Sequence, residues 1–150
     1  MSTNTLQQLK KALVASGFEV FRTQNDEVVL AERVRDNLIL DSGIRVGWVP
    51  PAEDTSVRIV AVFRAQRSDF PSDDEDALYE RARKLAQPAL DAGFAEVGAV
   101  VLPVRDPADP NRTLDTFYEV LLAKNVGSVE AATDELKFAL SLEKAVSTAR

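Results

Sequence analysis

The 150-residue chain contains no cysteine and no histidine. Without cysteine it has neither disulfides nor thiolate metal sites, and nothing in it marks an oxidising compartment. Without histidine it lacks the commonest general base, the commonest metal ligand and the third member of most nucleophile triads. Catalysis would have to rest on carboxylates, lysine, tyrosine or a carboxylate-only site for a hard cation, so neither an enzyme nor a cofactor or metal is expected. Positive charge is also short: 18 Lys+Arg against 24 Asp+Glu leave a formal net charge of -6. That balance opposes binding to phosphate backbones. Arg33/Arg35 and Arg81/Arg83/Lys84 are short and acid-flanked, so no basic stripe forms and nucleic acid is not an expected partner. No apolar run approaches the roughly 18 residues of a membrane span. Residues 1–10 are polar with interleaved leucines and lack the continuous apolar core of a signal peptide, so a cytoplasmic protein with no membrane partner is expected.

What is present suffices for one core. With 45% hydrophobic residues, a chain of this length is expected to form a single α+β domain over 1–150, burying about two-thirds of its unfolded surface. Thr3, Asn4 and Thr5 offer N-cap oxygens ahead of Leu6, Leu9, Ala12 and Leu13, which share one helical face, and Gly17 supplies the stop; a first helix is expected over 5–16. Strands are expected over 18–22 and 27–33, around the turn residues Gln24, Asn25 and Asp26. A further strand over 37–40 precedes a turn at Asp41-Ser42-Gly43, after which Ile44, Val46 and Trp48 alternate; two strands or one bent strand both fit. Pro50 and Pro51 end that run. Over 57–65, Val57, Ile59, Ala61 and Phe63 face one way and Arg58, Val60, Val62 and Arg64 the other.

Ser72 and Glu75 have the spacing of a capping box for a central helix in which Leu78, Ala82, Leu85 and Ala89 recur, with Pro88 kinking its last turns and Gly93 stopping it. Strands follow over 96–105 and 116–125, joined by the polar segment Asp106-Pro107-Ala108-Asp109-Pro110-Asn111, and Pro103 points to a free edge or a bend. Gly127 and Ser128 introduce a final helix over 129–147. Ser16-Gly17-Phe18 and Ala92-Gly93-Phe94 echo each other, each glycine taking the left-handed conformation at a helix end. The order is helix, antiparallel strands, helix, two strands, helix, with the helices packed mainly on one face of a curved antiparallel sheet.

The final helix carries the strongest functional signal. In Leu136-Lys137-Phe138-Ala139-Leu140-Ser141-Leu142 five of seven residues are apolar. At about 100° per residue the polar side chains Asp134, Lys137, Ser141, Lys144 and Thr148 occupy one stripe, leaving an apolar arc of roughly 220°. Glu135 and Glu143 divide this arc into two contact stripes. Leu136, Phe138, Leu140, Leu142 and Val146 are therefore candidate partner-binding residues, as is Trp48, the only tryptophan, because large aromatics anchor interfaces. The other reading of the arc buries it between the sheet and the first helix of the same chain.

This element order, the length, the acidic charge and the C-terminal amphipathic helix together resemble the type III secretion chaperone-like fold, which the YbjN-like family shares. The resemblance extends from Leu6 to about Val146. It implies a small homodimer that binds a protein client through apolar patches without catalysis; the YbjN-like branch implies a regulatory or stress-related role. An alternative of another class is a small-ligand-binding domain, with a pocket between the sheet and the helix kinked at Pro88. Ile39-Leu40-Asp41-Ser42-Gly43-Ile44 also resembles the signature of retroviral-type aspartic proteases, in which two subunits each supply an aspartate. Ile44, where a small residue is usual, and two long helices count against that third reading, and Asp-Ser-Gly is a common turn. The acidic run 69–76 could supply oxygen ligands to a cation, but negative charge in a first helical turn complements the helix dipole, which favours a structural role.

Overall fold

The computed structural model describes residues 3–35 and 38–145. Their elements run α1 (Leu6–Ala15), β1 (Val20–Gln24), β2 (Glu27–Arg35), β3 (Leu38–Trp48), β4 (Val57–Gln66), a 3-10 turn (Arg67–Asp69), α2 (Glu75–Asp91), β5 (Ala95–Asp106), β6 (Asp109–Val126) and α3 (Val129–Ser141). The strands form an antiparallel open sheet in the order β1-β2-β3-β4-β6-β5, so the fold class is α+β. The chain divides into two compact units, one of residues up to Ala61 together with Ala123–Ser141, the other of Val62–Leu122 with the chain from Leu142 onward. Two of the three boundaries fall inside strands, in β4 and β6, and the third at the end of α3.

In the first unit, α1 begins with a complete capping box: Thr5 Oγ1 accepts the Gln8 amide at 3.2 Å and Gln8 Oε1 accepts the Thr5 amide at 2.7 Å, so two otherwise unpaired donors are satisfied. Leu9 and Leu13 are fully buried. Gly17 sits at φ 95° and the Phe18 amide donates back to the Leu13 carbonyl at 3.1 Å, as expected of a left-handed helix end. Asn25 and Asp26, at φ 49° and 63°, form the two-residue turn between β1 and β2, a backbone that short polar side chains tolerate. Both α1 and α3 pack on β3 and touch each other, with Ala132, Leu136 and Ala139 of α3 buried.

The Asp41-Ser42-Gly43 segment is not a turn between strands. β3 continues through it, and between the pairs Val29↔Arg45 and Ala31↔Asp41 the residues Ser42, Gly43 and Ile44 stand against Leu30 alone. The local chemistry is that of a turn: Asp41 Oδ1 accepts the Gly43 amide at 2.8 Å, Ser42 Oγ accepts the Ile44 amide at 3.1 Å, and Gly43 has φ 79°. Strand pairing on either side absorbs it as a bulge, which bends the strand instead of reversing it.

In the second unit α2 is capped by Asp74, whose Oδ1 accepts the Ala77 amide at 2.8 Å. Ser72 does not cap. Backbone bonds from Phe70 to Arg67 and from Asp73 to Phe70, each 3.1 Å, hold Ser72 in the turns before the helix, leaving the cap to the carboxylate adjoining the first helical residue. Pro88 is accommodated and the helix runs on to Asp91. Gly93, at φ 99°, and the Phe94 amide, bonded to the Ala89 carbonyl at 3.0 Å, repeat the arrangement at Gly17. The expected connector 106–111 shrinks to Pro107 and Ala108, because β6 already begins at Asp109. Asp106 Oδ1 and Asp109 Oδ1 accept the amides of Ala108 and Asn111, at 2.8 and 3.1 Å. β5 is a terminal strand of the sheet, so Pro103 lies on a free edge as its chemistry requires.

The last helix is shorter than expected. It ends at Ser141, whose hydroxyl donates to the Phe138 carbonyl at 2.6 Å, and not at 147. In the second unit the chain beyond it runs beside β4: the Arg64 amide donates to the Lys144 carbonyl at 2.8 Å, and Arg64 and Ala145 form a parallel bridge.

Candidate functional site

The α3 candidates are largely covered by their own chain. Leu136 is fully buried, Phe138 and Leu140 are half-buried, and Leu142 is half-buried in the segment past the helix; Val146 lies outside the described residues. Glu135 accepts from Lys124 Nζ of β6 at 2.7 Å, so this carboxylate does not separate two open stripes. The exit of the chain at Ser141 takes Leu142 off the helical wheel and narrows the arc.

Exposed apolar side chains gather elsewhere, on two hairpin arms. In the first unit the ladder from Arg35↔Leu38 to Ala31↔Asp41 carries exposed Val34, Leu38, Ile39 and Leu40, with successive residues exposed on both strands. In the second unit β5 and the start of β6 carry exposed Val97, Val100, Val101, Leu102 and Leu114, and the two most open, Val97 and Leu114, are 52% and 51% exposed. β5 is the more consequential because it is an edge. Its 12 residues exceed the usual strand of about 5–6, and residues 97–104 contain no charge. Pro103 fits only where its nitrogen points off the sheet. Backbone groups two residues apart point the same way, so the amides of Val97, Ala99 and Val101 face outward too. The sequence held the signal for this edge, an uncharged run ending in proline, but apolar density in the last helix outweighed it.

The second unit carries arginines laid on aromatic rings. Arg64 places its guanidinium 4.1 Å from the Phe117 ring centroid and donates Nε and Nη2 to Glu119 Oε2 at 2.9 and 2.7 Å. Glu119 is 2% exposed. Arg81 lies 3.8 Å over Phe70 and bonds Asp73 Oδ2 at 2.6 Å. Arg67 lies over Tyr118 and donates to its hydroxyl and to the Asp73 carbonyl. Tyr118 meets Tyr79 edge to face at 5.4 Å. Burial pushes the Tyr79 hydroxyl up, with the Glu75 and Tyr118 charges adding to this and Arg83 opposing it. Arg83 is held more firmly protonated, chiefly by its hydrogen bond to Glu96 of β5. These contacts account for Asp73 of the acidic run, and the cap of α2 accounts for Asp74. Among the described residues no group of three or more acidic side chains is placed to hold a metal ion.

Asp115 joins β6 to the turn after β4. It accepts from Gln66 Nε2, Ser68 Oγ and the amides of Ser68 and Thr116 at 2.7 to 3.1 Å. Burial alone would push its carboxyl up, but these hydrogen bonds outweigh burial and hold it below its usual value. A carboxyl lowered on folding stabilises the fold above its unfolded value, near 3.8, and that contribution is lost as pH falls through the folded value. The stability difference between the wild type and Asp115→Asn, measured by urea denaturation, is therefore expected to be largest near pH 7 and to shrink by about pH 3.

Trp48 is half-buried and donates Nε1 to the Thr5 carbonyl at 2.8 Å. It lines a cleft of about 320 Å³ with Leu6, Asp26, Pro50 and Pro51 among its walls. None of the residues lining it belongs to α2, beside whose Pro88 a pocket was expected. Asp41, the aspartate of the protease-like signature, is exposed, accepts the Gly43 amide and pairs with Arg22 at 3.5 Å. No helix among the described residues is long and apolar enough to cross a membrane. Comparison with protein-family models, with characterised proteins and with solved structures found no match to this chain.

Proposed function

We propose that the protein is a non-enzymatic protein-binding module, chaperone-like or regulatory, acting in the cytoplasm as a homodimer. The type III secretion chaperone-like resemblance implies the same role, with the helices gathered mainly on one face of a curved sheet. The observation that carries the reading is the β5 edge, a long strand whose residues 97–104 carry no charge, with Val97, Val100, Val101 and Leu102 exposed. An edge of that kind is a template for another strand.

A second copy suits it. Antiparallel pairing of two β5 strands sets one uncharged run against the other, which avoids bringing charge to the seam although each copy carries a net charge of -6. It also brings the Glu96 end of one copy beside the Arg105 end of the other. Sedimentation equilibrium tests this. The wild type is expected to dimerise at micromolar concentration and Val101→Lys to be monomeric, since an edge lysine blocks strand addition. Leu140→Asp separates the two locations: it is expected to leave dimerisation of the folded fraction intact. A wild type that stays monomeric, or a dimer lost in Leu140→Asp and kept in Val101→Lys, would remove β5 as the interface.

A further inference from the structure

The Trp48 cleft is independent of the β5 edge, and its walls have a definite chemistry. At about 320 Å³ it lies at the small end of ligand sites, which suits one compact group. Trp48, Leu6, Pro50 and Pro51 make it mostly apolar, and the exposed Asp26 is the one ionisable residue among those that line it. Because the Trp48 N–H is bonded to the Thr5 carbonyl, the indole offers the cleft only its carbon edge and π-surface. At the neighbouring helix end the Thr5 hydroxyl and the Gln8 side chain already pair the amides of Gln8 and Thr5. No lysine or arginine lines the cleft. The walls are fixed: the Asn4 amide donates to the Ala52 carbonyl and Asn4 Nδ2 to the Asp54 carbonyl, both at 2.7 Å. Asp26 sits in the tight β1–β2 turn at φ 63°.

An aromatic surface, two proline rings and a single carboxylate together favour a cation carrying apolar substituents over an anion, which would meet Asp26, and over a neutral polar group, which would lose its water without gaining a charge partner. We infer that the cleft between Trp48, the Pro50-Pro51 pair and Asp26 binds a small alkylammonium cation, presented either by a free quaternary amine or by a lysine side chain of a peptide.

Trp48 is the only tryptophan, so its fluorescence reports on this cleft alone. Titration of the whole chain with choline, at constant ionic strength, is expected to give a saturable change. The neutral isostere 3,3-dimethylbutan-1-ol is expected to give none. Asp26→Asn removes the charge and keeps a residue that accepts the left-handed turn, so the fold is retained, and it is expected to weaken choline about tenfold. A parallel titration with acetyl-lysine amide distinguishes the sources: tighter binding than choline assigns the cleft to peptides, and weaker binding assigns it to free amines. Equal responses to choline and its neutral isostere, unchanged affinity in Asp26→Asn, or no saturable response to either cation would overturn the proposal. None of these outcomes bears on the β5 interface.

Discussion

Leu136→Ala is expected to lower the stability of the protein by about 2–5 kcal/mol, among the largest effects of any single truncation in the chain. Leu136 is fully buried in the first unit, on a helix that packs against β3 and α1. The change removes the transfer free energy of its side chain and leaves a cavity among neighbours that cannot fully collapse, since close-packed interiors relax only in part. For a chain of this size each kcal/mol corresponds to about 2–4 °C in Tm, so thermal unfolding should show a fall of roughly 7–14 °C for a loss near the middle of that range. Truncation at the half-buried Phe138 or Leu140 should cost less per methylene removed, because part of each side chain already meets water. If Leu136→Ala were nearly neutral in stability while abolishing self-association, α3 would be an interface helix after all.

The second large effect is expected at the Arg64–Glu119 pair. Glu119 is buried and both donated bonds from Arg64 converge on one of its oxygens, while the Arg64 side chain is 39% exposed. Arg64→Met keeps bulk over the Phe117 ring but strands the carboxylate. Breaking a fully buried pair costs about 3–5 kcal/mol; with water reaching the arginine side, about 2–3 kcal/mol is expected here. The double variant Arg64→Met with Glu119→Leu should recover most of that loss, because a well-packed apolar pair is often as stable as the buried ions it replaces. Urea denaturation of the single and double variants reads this directly. A single variant as stable as the wild type would mean that water solvates Glu119 without Arg64.

Much of the fold was legible where local chemistry decides it. Thr3, Asn4 and Thr5 offered the cap of α1, of which Thr5 supplies it, and Gly17 and Gly93 stop helices because only glycine enters the left-handed region without strain. Pro103 pointed to an edge or a bend for the same kind of reason, as it has no amide to give to a neighbour. The misreadings share a different cause. Asp41-Ser42-Gly43 makes the hydrogen bonds of a turn, yet β2 pairs with β3 on both sides of it, and this pairing, which the segment's own residues do not show, selects one bent strand over two. The residues Asp109, Pro110 and Asn111 have loop composition and nevertheless belong to β6, because a two-residue turn after Asp106 sets a hairpin in motion. Ser72 and Asp74 are both capable caps, and the turns at Phe70 and Asp73 chose between them.

The candidate site was the least legible part, for a physical reason that lies at the end of α3. A helical wheel assumes that the helix continues. Here the chain leaves it at Ser141, and the Lys144 carbonyl takes the Arg64 amide of β4, so residues assigned to one apolar arc belong to two different elements. The surface that stays bare instead is a strand edge, and exposure of an edge depends on strand order, which periodicity cannot supply. The hydrophobic content of 97–104 was visible; its position at the margin of the sheet was only hinted at by Pro103.

The β5 interface is tested most directly by amide hydrogen exchange at Val97, Ala99 and Val101 as a function of protein concentration. In a dimer joined edge to edge these outward amides are hydrogen-bonded across the seam. Protection that grows with concentration and disappears in Val101→Lys is the expected result. Rapid exchange at these three amides, at every concentration at which the protein is dimeric, would contradict the interface.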